Sequence, residues 1–368
     1  MSPKHFSILA AVTAAVVVLA IAAIVAGGGD GRAGGDGEVA FPELRGKLDR
    51  VAEIALVNRE ARILVARKGG HWVLPAKHDY PAKVDKVRAL LLGFEELRLV
   101  ERKTARGDRL GRLNLDDPTG EETRAVRVTL KDSGGEVLAD AVVGKKKYDL
   151  SRTGIAGTYV RRADAEQAWL GSSELDPGRS ERLWLARKLM DVKKKRIHRY
   201  TIRHADGETV TASRTSPAEE NFTLETLPDG ERLKNRSAAD GNATTLAFLE
   251  FEDVRPAAAA AFPEPVAKAE FVTFDGLIVR VDVAEIDAAK WVRFEVEAGG
   301  PVALPERPAA AAEDEAKAEG EDDPLLPLAE QVAAIRETVD GWIFQLPDFA
   351  NKNLTARNAE MLAGSEES

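Results

Sequence analysis

The amino-acid sequence predicts a strand-rich α+β protein with two similar halves, preceded by one N-terminal transmembrane helix. Three observations point to this fold class. Short runs of β-branched and aromatic residues alternate with polar residues between glycine-containing turns, which is typical of antiparallel meanders and hairpins. The same order of elements occurs twice along the chain. A long apolar run without charged residues precedes both copies.

The apolar run extends from residue 6 to residue 26 and predicts a membrane anchor. A helix of this length rises about 30 Å, which matches the hydrocarbon core of a bilayer. Lys4 precedes the run, and basic residues favour the cytoplasmic side. We therefore expect a single pass through a bacterial inner membrane, with residues 1–5 in the cytoplasm and the following domain in the periplasm. A cleaved signal peptide is the alternative, although its apolar stretch is usually shorter.

The exported part divides into segments of different composition. The first segments are a glycine-rich tether (residues 27–44), a first α+β half (45–192) and a second α+β half (193–300). They are followed by a disordered insertion rich in alanine, proline and acids (301–324), a helix and strand that complete the second half (325–362), and a tail (363–368). Each half is expected to contain three strands, a helix, a hairpin and a further strand, in that order.

In the first half, an amphipathic helix is predicted to start near Ala82. Apolar residues at a spacing of three to four positions place Val84, Val87 and Phe94 on one face. The strands predicted around this helix are Val51–Leu56, Ile63–Ala66, Trp72–Leu74, Ala125–Leu130, Val137–Val143, Tyr159–Arg161 and Ala168–Leu170.

In the second half, the pattern predicts a hairpin that turns at Asp275-Gly276. A helix is expected over Thr244–Phe251, in the position that the Ala82 helix has in the first half. The other elements predicted for this half are strands at Ile197–Ile202, Glu208–Ala212 and Trp291–Phe294, a helix at Leu328–Thr338, a strand after Gly341 and a short terminal helix at Asn353–Leu362.

Composition excludes several kinds of chemistry. The chain has no cysteine, which excludes disulfides, thiolate nucleophiles and cysteine-based metal sites. The net charge of −9 does not favour nucleic acid as a partner. No phosphate-binding P-loop is present, so the chain is not itself an ATPase, and no nucleophile-elbow motif is present either.

We predict no catalytic, cofactor-binding or metal-binding residue. The histidines at positions 5, 71, 78, 198 and 204 lack the spacing of a zinc site. His198 and His204 share one face of a strand, which ordinary interstrand histidines explain. The acidic stretch at residues 114–122 lacks the spacing of a calcium loop and is interpreted as a helix-breaking loop.

Two further features have a structural and a functional interpretation. The basic run at residues 193–196 is interpreted as a solvated junction between the halves, with binding of anionic lipid headgroups as the alternative. The tryptophans at positions 72, 169, 184, 291 and 342 are expected in the core, with a sugar-binding groove as the alternative.

Several stretches together resemble a bacterial family known as domain of unknown function 4340. They are the Val51–Leu56 strand, His71-Trp72-Val73-Leu74 leading to Tyr80-Pro81-Ala82, the Leu90-Leu91-Leu92 helix, Phe274-Asp275-Gly276-Leu277, and Gly341 to Pro347 followed by Asn353-Leu354. The resemblance spans roughly residues 45–362 and carries no catalytic motif. It implies an accessory protein associated with ABC-2-type permeases, their ATPases and a gliding-motility-type auxiliary membrane protein.

The expected function is that of a non-enzymatic, membrane-anchored periplasmic subunit of an ABC-type transport or export system. Its expected partners are the inner membrane, an ABC permease or ATPase, and a sister auxiliary membrane protein, with no cofactor and no nucleic acid. The alternative is an envelope-anchored polysaccharide-binding protein or hydrolase. A purely structural spacer is the third hypothesis.

Overall fold

The computed structural model describes residues 37–148, 157–259, 261–303 and 326–363. The predicted membrane anchor, most of the glycine-rich tether and most of the acidic insertion lie outside these residues. Within the described part of the chain, no helix has both the length and the apolar character needed to cross a membrane.

By its contacts the chain divides into two compact units. Unit 1 consists of the described residues up to Ala76 together with Pro81–Leu185, and unit 2 consists of Lys77–Tyr80 and the described residues from Ala186 onward. The division falls ahead of the basic run at which the sequence pattern places the boundary. The reason is that Lys188–Met190 pairs with Leu249–Glu250, a strand of unit 2.

Unit 1 contains antiparallel strands and two helices. The strands are β1 (Glu38–Val39), β2 (Val51–Val57), β3 (Arg62–Lys68), β4 (His71–Leu74), β5 (Tyr80–Pro81, whose first residue is assigned to unit 2), β6 (Arg98–Arg102), β7 (Val126–Asp132), β8 (Val137–Lys147), β9 (Gly157–Arg162) and β10 (Trp169–Gly171), and the helices are α1 (Val84–Glu95) and α2 (Gly107–Leu110). The strand order in the sheet is β1-β6-β10-β9-β8-β7-β2-β3-β4-β5.

Unit 2 contains an eight-stranded sheet with the order β14-β13-β12-β17-β18-β19-β20-β16, and a separate ribbon of β11 and β15. The strands are β11 (Lys188–Met190), β12 (Ile197–His204), β13 (Thr209–Ser213), β14 (Thr223–Leu224), β15 (Leu249–Glu250), β16 (Asp253–Pro256), β17 (Ala267–Thr273), β18 (Leu277–Ile286), β19 (Ala289–Ala298) and β20 (Trp342–Gln345). The helices are α3 (Asp240–Ala243), α4 (Leu328–Val339) and α5 (Asp348–Leu354).

The two sheets share one plan. Eight strands of unit 1 follow the order β4-β3-β2-β7-β8-β9-β10-β6, and the corresponding strands of unit 2 follow the order β14-β13-β12-β17-β18-β19-β20-β16. In unit 1, β6 follows α1 and pairs with β10, the last strand of that sheet in chain order. In unit 2, β16 follows α3 and the intervening β15, and it pairs with β20, again the last strand in chain order. The repeated order of elements that the sequence predicts therefore appears as the same strand order twice.

The prediction of strand-rich antiparallel sheets with few helices is confirmed, and most predicted strands extend further than expected. The alternating residues of β17 and β18 explain this success, because every second side chain is buried. Helix α1 begins at Val84 rather than near Ala82. Val84 is 51% exposed and does not join the buried face formed by Val87, Leu90, Leu91 and Phe94.

Two predicted helices are wrong. The chain does not form a helix over Thr244–Phe251, because α3 ends at Ala243 and Leu249–Glu250 pairs as a strand with β11. The terminal helix expected at Asn353–Leu362 instead covers Asp348–Leu354 and begins directly after Pro347. Pro347 disfavours helical backbone at Leu346, the residue before it, so the helix does not extend further toward the N-terminus. A short 3-10 turn at Asn358–Glu360 follows.

Candidate functional site

Each of the two strand histidines donates a ring N–H hydrogen bond to a backbone carbonyl oxygen. Nδ1 of His198 lies 2.7 Å from the carbonyl oxygen of Arg214, and Nε2 of buried His204 lies 3.0 Å from that of Ala356. Across the described residues, no group of three or more histidine or acidic side chains is arranged to hold a metal ion. The histidines therefore connect strands and loops of unit 2.

The acidic stretch at residues 114–122 forms a loop stabilised by its own side chains. Asp117 Oδ1 accepts hydrogen bonds from the backbone N and the hydroxyl of Thr119, at 2.9 and 2.8 Å. These bonds hold the pKa of Asp117 below its ordinary value. Asp116 accepts a hydrogen bond from the Thr123 hydroxyl at 2.7 Å. The carboxylates thus stabilise turns. Of the five tryptophans expected in the core, Trp184 and Trp291 are buried, whereas Trp72, Trp169 and Trp342 are only half-buried.

The basic run is largely occupied by contacts inside unit 2. Lys194 Nζ donates to the carbonyl oxygen of Glu220 at 2.7 Å and to Asp240 at 3.0 Å. Arg196 pairs with Asp275 at 2.6 Å. Buried Arg214 donates to the carbonyl oxygen of Lys194 at 2.8 Å. Most of this positive charge therefore stabilises the loops around β12.

Asp240 is the buried carboxylate on which several of these contacts converge. Its oxygens accept hydrogen bonds from Phe222 N at 2.8 Å, from the Asn221 side chain at 2.8 Å and from Lys194 at 3.0 Å. Burial would raise the pKa of this carboxyl group, but the hydrogen bonds outweigh burial and hold its pKa below the ordinary value. A carboxylate whose acceptor sites are used in this way is a structural group.

The ribbon of β11 and β15 lies outside the plan that the two sheets share. In unit 1, helix α1 covers Val84–Glu95 and only residues 96–97 connect it to strand β6. In unit 2, helix α3 is shorter, and the connection from α3 to β16 runs over residues 244–252 and contains β15. This connection reaches its partner strand at Lys188–Met190. A connecting segment that differs between two copies of one framework is a candidate for function.

Phe248 projects from this connection. Its side chain is 64% exposed, and its backbone has a φ of 47°, in the left-handed region. Its neighbours Leu246 and Leu249 are fully buried and anchor the segment on both sides. Left-handed backbone is unfavourable for a bulky residue other than glycine, with a cost of about 1–3 kcal/mol. The fold therefore holds an aromatic ring in solvent at some cost in stability.

Charged residues surround the Phe248 ring. Lys193 Nζ lies 4.0 Å from the ring centroid, close enough for a cation–π contact. Asp191 Oδ1 accepts a hydrogen bond from Phe248 N at 3.1 Å. The second oxygen of Asp191 lies 3.8 Å from Lys193 and 4.0 Å from Lys188. We call Phe248 with Lys188, Asp191 and Lys193 the Phe248 surface.

The Phe248 surface offers an apolar ring and two ammonium groups, which is the chemistry of an interface. It contains no candidate nucleophile that is paired with a base. Sequence reasoning missed it, because Ala247-Phe248 fits the apolar spacing of the helix expected at residues 244–251. No sequence signal identifies the left-handed backbone, since phenylalanine rarely adopts it.

Comparison with known proteins gives a family but no activity. A family model described as Domain of unknown function (DUF4340) matches residues 72–267, which is more than half of the 368 residues. No curated protein matches the chain. The matched range includes the β11–β15 ribbon and Phe248. The protein therefore belongs to the family of domain of unknown function 4340.

Proposed function

We propose that this protein is a non-enzymatic, membrane-anchored accessory subunit of an ABC-type transport or export system, and that it binds a partner protein of that system through the Phe248 surface. The apolar run at residues 6–26 supports the anchor. The family resemblance supports the association with transport proteins. The exposed ring of Phe248 is the observation that carries the binding role.

Phe248 has the properties of an interface anchor. Aromatic side chains dominate binding energy when they insert into a pocket of the partner, and truncation of such a residue costs about 2 kcal/mol or more. The left-handed backbone and the packed neighbours fix the direction of the ring before binding, which reduces the entropy lost on association. Lys188 and Lys193 beside it favour a partner with an acidic rim.

The experiment is a gentle-detergent pull-down of the tagged full-length protein from its native membranes, followed by mass spectrometry. We expect a permease or ATPase in stoichiometric amount with the unaltered protein. Phe248→Asn is expected to weaken this binding roughly 30-fold, which corresponds to about 2 kcal/mol. Asparagine tolerates left-handed backbone, so this variant removes the ring without adding strain.

Phe349→Ala is the matched control, because Phe349 is a second exposed aromatic residue of unit 2, at 55% exposure. This variant is expected to retain the partner. Equal recovery with Phe248→Asn would show that the Phe248 surface does not bind it. If the protein is recovered alone in several detergents, the accessory-subunit proposal is wrong, and glycans and envelope polymers become the molecules to screen.

A further inference from the structure

A second feature of unit 2, distinct from the Phe248 surface, is a cavity of about 440 Å³. This volume lies within the range of small-molecule sites, about 300–1,000 Å³. Its walls come from the β18–β19 turn, the end of β20, helix α5 and the 3-10 turn that follows. The residues used below are Lys290, Asp348, Asn351, Lys352, Thr355 and Glu360.

Lys290 is a positioned ammonium group in the wall of this cavity. Its Nζ donates to the Thr355 hydroxyl at 3.0 Å, and this hydroxyl donates to the carbonyl oxygen of Asn351 at 2.8 Å. The ammonium group has three donors, so two stay available. Within the described part of the chain, Lys290 forms no ion pair with a carboxylate. A half-buried ammonium group whose hydrogen-bond partner is neutral can also bind an anionic group of a ligand.

The lining of the cavity carries both signs of charge. Asp348 and Lys352 are exposed, and neither forms an ion pair with any residue that the structure describes. Glu360 is exposed and accepts a hydrogen bond from the backbone N of Arg357 at 3.2 Å. The cavity thus combines two ammonium groups with two carboxylates.

The turn that leads into Lys290 is strained. Asp287 and Ala288 form the two-residue connection of the β18–β19 hairpin, with φ of 53° and 60°. Such turns require left-handed backbone at both positions and favour asparagine or glycine. Alanine has no side-chain hydrogen bond to compensate, so this backbone conformation is unfavourable at Ala288. The strain lies at the cavity wall, since Ala288 is one of its lining residues.

We propose that this cavity binds a small zwitterion of the amino-acid or short-peptide class. The carboxylate of the ligand is placed at Lys290, with Lys352 nearby, and its ammonium group is placed toward Asp348 and Glu360. An anion alone would approach two carboxylates, and a cation alone would approach two lysines, so like-charge repulsion disfavours both. A ligand that carries both charges can pair with both kinds of group.

The test is isothermal titration calorimetry of the full-length protein in detergent with the dipeptide alanyl-alanine. Its N-acetylated and C-amidated forms each lack one charge. We expect the unblocked dipeptide to bind at millimolar concentrations and each blocked form to bind at least about tenfold more weakly, since each blocked form loses one charge-assisted hydrogen bond. This comparison uses the unaltered protein and so does not depend on the folding of a variant.

Lys290→Met keeps the length of the side chain, removes the ammonium group and is expected to weaken binding of the dipeptide about tenfold or more. Lys268→Met is the control, because Lys268 is an exposed lysine of β17 outside the cavity. Equal binding of all three dipeptide forms, or no heat of binding at millimolar concentrations, would overturn the proposal. Phe248→Asn is expected to leave dipeptide binding unchanged, so this site and the partner surface can fail independently.

Discussion

At the scale of single residues, unit 2 contains polar groups whose burial and hydrogen bonds stabilise the fold, and an exposed apolar group that fold stability does not explain. Asp240 and Arg214 are buried, and their hydrogen bonds go to backbone and side-chain groups of neighbouring loops. Phe248 is the opposite case, because an apolar side chain is exposed and its backbone is strained. Stability explains the first two residues and does not explain the third.

The hydrogen bonds of Asp240 predict a pH-dependent contribution to stability. Its pKa is lower in the folded than in the unfolded protein, so the stabilisation is present above the ordinary aspartate value of 3.8 and is lost as the pH falls through the folded-state value. We expect Asp240→Asn to lower the free energy of unfolding by about 1–3 kcal/mol at pH 7. At pH values below the folded-state pKa of Asp240, the variant and the unaltered protein should converge.

Urea unfolding at several pH values measures this difference. Asp229→Asn is the control, because Asp229 is exposed and the substitution should change stability by less than about 0.5 kcal/mol. A difference between Asp240→Asn and the unaltered protein that stays constant from neutral to strongly acidic pH would contradict the assignment of a depressed pKa.

At the scale of elements, the last described segment is attached to the β12–β13 hairpin. Arg357 pairs with Asp206 at 2.7 Å and with Glu208. Asn358 N donates to Glu208 at 2.9 Å, and His204 contacts the carbonyl oxygen of Ala356 at 3.0 Å. These contacts replace the single terminal helix that the sequence suggests. The segment is therefore a packed part of unit 2 without being a long regular element.

Met361 anchors this segment through its side chain, which is 2% exposed. Its carbonyl oxygen also accepts a hydrogen bond from Lys234 N at 2.9 Å. We expect Met361→Ala to lower the free energy of unfolding by about 2–5 kcal/mol, because it leaves a cavity in packed surroundings. Chemical denaturation with Leu227→Ala as the exposed control measures the effect. A change of Met361→Ala as small as that of the control would show that the segment is not packed.

At the scale of the whole molecule, one short segment belongs to a different unit from its neighbours in sequence. Residues 77–80 belong to unit 2 although the residues on both sides belong to unit 1. Tyr80 is 1% exposed, and its ring lies 5.1 Å from that of Phe251 and 4.9 Å from that of Trp342. Burial raises the pKa of this tyrosine. A division of the sequence at residue 185 therefore does not give two complete units.

We expect Tyr80→Ala to destabilise unit 2, although Tyr80 comes from the first half of the sequence. Loss of a buried aromatic ring costs about 3–5 kcal/mol. Hydrogen exchange followed by mass spectrometry should show faster exchange in β20, which carries Trp342, and in β16, which pairs with β20. Exchange in β7 and β8 of unit 1 should be unchanged. Faster exchange confined to unit 1 would contradict the assignment of residues 77–80.

The sequence by itself determined the strands and their repeated order, because alternating burial and turn residues such as Asp275-Gly276 act over a few neighbouring positions. The anchor predicted at residues 6–26 rests on length and apolarity in the sequence alone and stays a prediction. Tertiary structure decided the rest. Pairing of Leu249–Glu250 with Lys188–Met190 overrides the helical spacing around Phe248, and packing places Tyr80 in unit 2. Both depend on partners far away in sequence, whose position local patterns do not encode.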